Sequence, residues 1–377
     1  MVLEKLRAIS LIGGADVIGT GITAIFWFFL ASQIPPDQFG EIFYFIGIAS
    51  TVGAFVIVGS QNSITVFSSK NIKIESTLYF LSLLISVMGS FIIMLLFYRT
   101  DIVFLLFGYV LNILAIGEIL GKKNFSLYSK HTILQKILTV GLGLCFFYLF
   151  GIDGILYALA ISYVFFILPI FKQFKNSKID FSLLESRYQF IVNNYLIEIF
   201  NKLNSHLNKF LIVPLLGFGI LGNFSLAQQA VSLGLIFTVI VFKYTVPHDS
   251  QGEENKKLKL LTFIIGVVIS CTGYFLSPLI IPVFFPEYLE AIDAIKILSF
   301  SIIPITVTRI FTSKFLGQEK SKLLLLSKIL SLGVFIISIL TLGVSHGIVG
   351  ISVGYLLSTL VEALLLLPYS RKVFSRD

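Results

Sequence analysis

Twelve long apolar segments fill almost the whole of this 377-residue chain. A helix needs roughly 20 mostly apolar residues to cross the hydrocarbon of a bilayer, whereas a strand of a membrane barrel needs only about 10 alternating residues. We predict spans at about 8–32, 39–60, 77–98, 101–120, 131–150, 153–172, 188–216, 222–243, 258–282, 291–313, 321–343 and 346–369. The sequence therefore predicts an all-α membrane protein with twelve transmembrane helices.

The composition supports this prediction. Only 13% of the residues are charged and the mean hydropathy is +0.95, whereas a soluble domain carries about 25% charged residues. A soluble enzyme and a disordered scaffold are thereby excluded. The first span is too long for the apolar core of a signal peptide and carries Asp16, so we expect it to stay in the mature protein.

The basic residues predict how the chain is oriented. With the N-terminus in the cytoplasm, 23 of the 28 Lys and Arg residues fall on inner segments and only Arg99 falls on an outer loop. Such an excess on the inner side is typical of proteins in the cytoplasmic membrane. We therefore predict a multi-pass protein of that membrane with both termini in the cytoplasm. The basic residues are spread over many short segments, which argues against nucleic acid as a partner.

The two halves of the chain carry similar short motifs. The segment 151–155 opens the sixth span as 347–351 opens the twelfth, and the turn 38–40 resembles 220–222. We predict an N-terminal lobe over 1–172, a cytoplasmic linker over 173–187 and a C-terminal lobe over 188–377. Because each lobe has six spans, both lobes have the same orientation and a pseudo-twofold axis along the membrane normal relates them.

Several of these motifs resemble a known family. Residues 214–217 and 222–227 are similar to the loop after the seventh helix of polysaccharide flippases, and 281–288 resembles their connection between the ninth and tenth helices. A glycine is usual in that family where this chain has Phe285 and Pro286. The two Gly-Ile-x-Gly-Ile strings also resemble the family's openings of helices six and twelve. Those flippases belong to the multidrug/oligosaccharidyl-lipid/polysaccharide exporter superfamily.

The resemblance implies a V-shaped fold and a function. The protein is expected to carry an oligosaccharide linked to polyprenyl phosphate or diphosphate from the inner to the outer leaflet by alternating access. Membrane lipid is a second expected partner, glycosyltransferases of the same pathway are others, and a monomer is the expected state. No cofactor is expected apart from H⁺ or Na⁺ as a coupling ion.

The seventh span is the most polar one. Its polar residues recur at spacings of three and four, which places them on one helical face: Asn194, Glu198, Asn201, Lys202, Ser205 and Lys209. An ionisable group at mid-bilayer normally faces water or a partner. We interpret this face as the wall of a cleft in which Asn201, Lys202 and Lys209 bind the anionic headgroup. The alternative is an internal Glu198–Lys202 pair that only neutralises itself.

Three further residues within spans are candidates. Asp16 falls on Glu198 when the halves are aligned, so the two carboxylates could bind the coupling ion, or Asp16 could be a fixed counter-ion to Lys202 or Arg309. Arg309 either contacts the phosphate or extends to the inner headgroups. Gln228, at the start of the eighth span, is a candidate sugar contact.

Two other functions stay open. A multidrug or cation antiporter on the same fold is the first, although a cationic substrate would favour an acidic lumen. A membrane-integral glycan polymerase or acyltransferase is the second, but the outer loops are short and His206 is the only clearly intramembrane histidine. The sequence has no GxxxxGK[ST] loop and no closely spaced His or Cys pairs, so we expect neither direct use of ATP, nor a metal site, nor an enzyme.

Overall fold

The computed structural model describes residues 2–185, 187–242, 256–317 and 321–374, and every regular element among them is helical. The connection between the predicted eighth and ninth spans, 244–257, lies almost wholly outside these residues. The main α-helices are Val2–Ala31, Pro36–Val56, Gln61–Ser69, Glu75–Phe97, Thr100–Gly121, Phe125–Phe150, Asp153–Ile161, Ile167–Asn176, Tyr188–Gly234, Lys256–Phe284, Ala291–Phe300, Ile302–Gly317, Ser321–Ser338 and Val344–Phe374.

Ten helices in the described part of the chain are long and apolar enough to cross a membrane. Two of them, over 188–234 and 323–367, are each interrupted by a glycine with non-helical backbone angles, Gly217 and Gly347, and each holds two of the predicted spans. The predicted fold class, a twelve-span all-α membrane protein, is thereby confirmed.

Some boundaries differ from the prediction. The second span ends at Val56, and a short separate helix follows over Gln61–Ser69. The Ser60 hydroxyl oxygen accepts a hydrogen bond from the amide of Ser63 at 3.2 Å. This bond caps the N-terminus of the short helix, which is therefore a separate element from the second span. The fifth span starts at Phe125, six residues before its predicted start at 131, and this shift matters for the site below.

The two Gly-Ile-x-Gly-Ile strings adopt the same turn. Gly151 and Gly347 have φ of +66° and +57°, a region that L side chains rarely adopt. Three residues on, a Cβ on Gly154 would lie 2.6 Å from the carbonyl oxygen of Phe146, and a Cβ on Gly350 would lie 1.9 Å from that of Leu342. Both pairs of contacts are separated by the same offset of 196 residues, which supports the duplication that the sequence suggests.

The chain divides into two compact units. The first comprises Met1–Thr23 and Ile42–Phe210, and the second comprises Ala24–Glu41 and Leu211–Asp377. The hairpin 24–41 thus packs with residues that follow Leu211. The predicted lobes 1–172 and 188–377 are defined by the sequence repeat rather than by contacts, so they stay a prediction.

Within the second unit, two glycines allow an unusually close crossing of backbones. A Cβ on Gly40 would lie 2.0 Å from the carbonyl oxygen of Phe218, and a Cβ on Gly222 would lie 1.9 Å from that of Pro36. An offset of 182 residues relates Gly40 to Gly222 and Pro36 to Phe218, so the two contacts join equivalent residues. The same offset relates the turns 38–40 and 220–222. Equivalent points of the repeat therefore touch each other here.

Tyr288 anchors the same hairpin. Its side chain is fully buried, its ring makes an edge contact with Phe39 at 5.9 Å between centroids, and its hydroxyl donates to the carbonyl oxygen of Ile34 at 2.9 Å. The segment 285–288 is therefore fixed to the turn between the first two spans.

We expect Tyr288→Phe to lower the midpoint of thermal unfolding in detergent. The substitution keeps the ring but leaves a buried carbonyl oxygen without its donor, which costs about 1–3 kcal/mol. Tyr274→Phe is the control, because the Tyr274 hydroxyl makes no hydrogen bond with any residue that the structure describes. Equal midpoints for Tyr288→Phe and the parent would contradict this role of the hydroxyl.

Candidate functional site

The seventh span runs from Tyr188 to the break at Gly217, where φ is +86°. Its polar residues differ in exposure: Asn201 and Ser205 are exposed, Glu198 and Lys202 are half-buried, and Lys209 is buried. The Ser205 hydroxyl donates to the carbonyl oxygen of Asn201 at 2.9 Å. The Ser205 hydroxyl thus has a hydrogen-bond partner within its own helix and does not need to face water.

Glu198 and Lys202 form no ion pair, and neither has an ionic partner among the described residues. The alternative in which these two charges neutralise each other along the helix is therefore not what the structure shows. The half-buried Lys202 stays available as a cation on this helix.

Lys209 is the most unusual charge of the first unit. Its side chain is only 7% exposed, and its ammonium lies 5.3 Å from the centre of the Phe43 ring. The aliphatic part packs on Gly47, where a Cβ would lie 3.0 Å from Cδ of the lysine. No carboxylate in the described part of the chain pairs with it. A buried ammonium with only an aromatic ring beside it can attract an anionic group.

His206 lies one helical turn before Lys209, and both side chains face the helix Pro36–Val56. Its Nε2 lies 3.1 Å from the Ser50 hydroxyl oxygen, whereas its Nδ1 is buried and has no hydrogen-bond partner among the described residues. The second span thus supplies Phe43, Gly47 and Ser50 to this cluster. Sequence reasoning missed these three residues, because Phe43 and Gly47 do not stand out on a helix that is mostly apolar.

Asp16 has partners that were not predicted. The hydroxyl of Tyr128 donates to Oδ1 of Asp16 at 2.7 Å. Lys136 packs over Gly19, where a Cβ would lie 3.0 Å from its Cγ, and its charge interacts with that of Asp16. Lys136 belongs to the helix Phe125–Phe150, which begins six residues before the predicted start of the fifth span.

Arg309 is held within the second unit. Its guanidinium donates to the carbonyl oxygen of Leu235 at 3.3 Å and to the hydroxyl of Thr238. These groups lie just after the helix Tyr188–Gly234 ends. The Leu235 carbonyl oxygen also accepts hydrogen bonds from the amide and the hydroxyl of Thr238, so the arginine is an additional donor there. Gln228 is half-buried in the same unit and makes no hydrogen bond to another described residue.

Neither the known protein families nor the curated proteins include a match to this sequence. Solved structures do match it. A multidrug resistance MATE family transporter of the MOP superfamily in an inward-facing conformation gives a TM-score of 0.69 at 16% identity, over 97% of this chain and 94% of the other. The outward-facing conformation of such a transporter gives 0.64 at 17% identity, over 97% and 95%.

A further match is a MOP superfamily transporter from Pyrococcus furiosus, whose binding pocket is described as having reverse polarity. It gives a TM-score of 0.64 at 16% identity, over 97% of this chain and 95% of that one. This chain therefore has the fold of MATE transporters, twelve helices in two lobes. Those transporters belong to the MOP superfamily, which is the superfamily that the sequence motifs resemble. None of these three structures is described as a polysaccharide flippase, so that narrower resemblance stays a prediction.

Proposed function

We propose that this protein is a secondary transporter that moves its substrate across the membrane by alternating access. The observation that carries the proposal is the fold match over 97% of the chain to multidrug resistance transporters in both an inward-facing and an outward-facing conformation. The two glycine-mediated crossings described above are consistent with a duplicated transporter. The cytoplasmic membrane and the orientation with both termini inside belong to the same proposal.

The first candidate function is a multidrug antiporter, which exports amphipathic compounds in exchange for an ion. Two of the matching structures are described as multidrug resistance transporters, so the comparisons support this candidate better than the flipping of a lipid-linked oligosaccharide. It is one of the two alternative functions that the sequence leaves open.

The second candidate is the lipid-linked oligosaccharide flippase, and the charge of the first unit supports it. Lys209 is buried without a carboxylate partner and Lys202 carries a second free cation on the same helix. A phosphate or diphosphate would supply the missing counter-charge. Asn201 on the same helix stays a proposed contact of this headgroup. Gln228 and Arg309, which belong to the second unit, stay proposed contacts of the substrate, although two donors of Arg309 are already engaged. Glycosyltransferases are proposed partners only under this candidate.

Transport in proteoliposomes that contain the purified protein separates the candidates. One arm follows the efflux of ethidium, a cationic dye, under an imposed H⁺ or Na⁺ gradient, and the other follows the appearance of a fluorescent lipid-linked oligosaccharide in the opposite leaflet. Gradient-driven movement of ethidium alone supports the antiporter, and movement of the glycan alone supports the flippase. If neither substrate moves faster than in protein-free liposomes, the transport proposal fails for both cargoes.

For ion coupling we propose Asp16, with Glu198 as the second carboxylate. The hydrogen bond from Tyr128 holds the carboxylate of Asp16 towards the fifth span, and the charge of Lys136 on the same span interacts with it. A carboxylate held within a membrane span between a hydroxyl donor and a cation can exchange a proton or bind Na⁺ as its surroundings change.

We expect Asp16→Asn to reduce the dependence of transport on the imposed gradient by about tenfold or more, because the amide cannot take up an ion in place of the carboxylate. Asp153→Asn, which alters an exposed carboxylate at the start of the sixth span, is the matched control. A fixed counter-ion predicts a different result: Asp16→Asn combined with Lys136→Met would then regain the gradient dependence of the parent, and that recovery would refute the coupling role.

A further inference from the structure

The first unit has a cavity of about 630 Å³ that the candidate transport site does not include. It is formed where the turn after the short helix Gln61–Ser69 meets the start of the seventh span. Both segments are predicted to lie on the cytoplasmic side of the membrane. We call this cavity the inner pocket, and its lining residues are Val66, Phe67, Lys70, Ile72, Arg187, Gln189, Phe190 and Asn193.

The end of the short helix shapes one wall of the inner pocket. Asn71 has a φ of +54°, and its amide donates to the carbonyl oxygen of Ser68 at 3.1 Å. The amide of Ile72 donates to the carbonyl oxygen of Phe67 at 3.0 Å. These two bonds form a Schellman motif, which ends a helix at a left-handed residue. The turn therefore brings Ile72 back beside Phe67, and both residues line the pocket with Lys70.

An aromatic contact joins this turn to the seventh span. The rings of Phe67 and Phe190 meet edge to face, with 5.5 Å between their centroids. Phe67 is buried, whereas Phe190 is 40% exposed and still offers apolar surface. Ile197 lies seven residues later on the same helical face and is 50% exposed. An exposed apolar strip therefore runs from the inner pocket along the seventh span.

The charged groups of the inner pocket are both basic. Lys70 is exposed and pairs with no carboxylate among the described residues. Arg187 donates through one Nη to the carbonyl oxygen of Leu183 at 3.2 Å, and a guanidinium has five N–H donors in all. In the described part of the chain, no Asp or Glu lines the pocket. The potential in the pocket is therefore positive, and an anion is the favoured ligand.

Two amides add neutral hydrogen-bond donors to these cations. Gln189 and Asn193 lie one helical turn apart on the seventh span, and both line the pocket with exposed side chains. Neither amide bonds to another residue that the structure describes. A phosphate group accepts several hydrogen bonds at once, and those from charged donors are the strongest.

The surroundings of the inner pocket favour a phospholipid over a free phosphate. Tyr188, which begins the seventh span, is 68% exposed, and tyrosine is enriched at the headgroup level of membranes. The volume falls in the range of roughly 300–1,000 Å³ that is typical of small-molecule sites. A free phosphate would leave the apolar strip that starts at Phe190 uncovered, whereas an acyl chain would lie along it.

We propose that the inner pocket binds the headgroup of an anionic phospholipid of the cytoplasmic leaflet. Lys70 and Arg187 neutralise the phosphate, Gln189 and Asn193 donate hydrogen bonds to the headgroup, and one acyl chain follows the seventh span past Ile197. Basic pockets at the cytoplasmic ends of membrane helices bind lipids in this way. The site takes a resident lipid rather than a cargo, so it does not depend on the proposed transport.

Native mass spectrometry of the whole chain in detergent tests the proposal, because it measures the affinity for the first bound lipid without any transport. The probe is phosphatidylglycerol. Lys70→Gln should weaken its binding about fivefold, the contribution expected of one basic group beside an anionic lipid. Asn193→Asp should weaken it at least as much, since a carboxylate then repels the phosphate. Both positions are exposed, so misfolding is not expected.

Lys73→Gln is the matched control. Lys73 is an exposed lysine three residues after Lys70 and does not line the pocket, so its loss should change the affinity much less. Phosphatidylcholine has the same phosphate and acyl chains but no net charge, and should bind about fivefold more weakly or worse. Glycerol phosphate, which lacks acyl chains, should not displace the lipid at equal concentration.

Three results would each overturn the proposal. Equal losses for Lys70→Gln and Lys73→Gln would mean that lipids respond to the overall charge of this face and not to the pocket. Equal binding of phosphatidylcholine and phosphatidylglycerol by the parent would show that no anion is selected. Displacement by glycerol phosphate would identify a site for soluble phosphates in place of a lipid site.

Discussion

Gly222→Ala is expected to stop transport while the protein still folds and inserts into the membrane. The added methyl group would lie 1.9 Å from the carbonyl oxygen of Pro36 and 2.7 Å from its carbonyl carbon. These are backbone atoms that cannot turn aside as a flexible side chain can, so the hairpin 24–41 and the start of the eighth span must separate. Overpacking of this kind costs about 1–3 kcal/mol, which lowers the population of the closed contact roughly 5–150-fold.

This loss affects transport because alternating access requires the two ends of the pathway to close in turn. Under the predicted orientation, the Gly40–Gly222 crossing lies at the outer end. Gly40→Ala should act in the same way, since its Cβ would lie 2.0 Å from the carbonyl oxygen of Phe218. A protein that cannot make this contact would stay open on that side and complete no cycle.

The measurement is the transport rate per folded molecule in proteoliposomes, with folding checked by gel filtration in detergent. Gly141→Ala is the matched control, because a Cβ at that position would meet no atom within 4 Å. Transport by Gly222→Ala at the rate of Gly141→Ala would show that the crossing is not part of the cycle. Loss of a monodisperse species would point to a folding defect, and Gly40→Ala would then carry the test.

The same crossing shows what the sequence could and could not predict about the fold. The likeness of the turns 38–40 and 220–222 is visible in the sequence because the two short strings have the same pattern. That Gly40 and Gly222 pack against each other's helices is a long-range fact, and no local pattern encodes it. The positive φ of Gly151 and Gly347 is a local property of the backbone, and the sequence motifs correctly predict both glycines at the openings of spans.

The site was predicted in part for a related reason. The polar face of the seventh span was found because polar residues on an apolar helix stand out by their spacing. The partners of Asp16 were missed because the first turns of the helix Phe125–Phe150 are polar, so hydropathy places its start too late. The side chain of Asn124 accepts a hydrogen bond from the amide of Leu127 at 3.1 Å. An Asn in that position is a capping signal that could have marked the true start.

Lys209→Met is expected to separate the two candidate functions by its effect on two cargoes. Methionine fills a similar volume over Gly47 and beside Phe43 but removes the charge. If the substrate is a lipid-linked phosphate, its translocation should fall about tenfold or more, since a charge-assisted hydrogen bond contributes about 1.5–3 kcal/mol. If the substrate is a cation, ethidium efflux should be unchanged or faster. Lys209→Arg keeps the charge and is the control for both cargoes.

Thermal unfolding of the same variant supplies a second, independent readout. The Phe43 ring contributes about 0.5–2 kcal/mol to holding the ammonium, whereas burial of an ion costs several kcal/mol. Lys209→Met should therefore raise the midpoint of unfolding even where it impairs transport. Among the described residues of the first unit no carboxylate pairs with Lys209, so a ligand is the counter-charge that we expect for it. A lower midpoint would show instead that the ammonium stabilises the fold, and Lys209 would lose its proposed role as the group that binds the cargo.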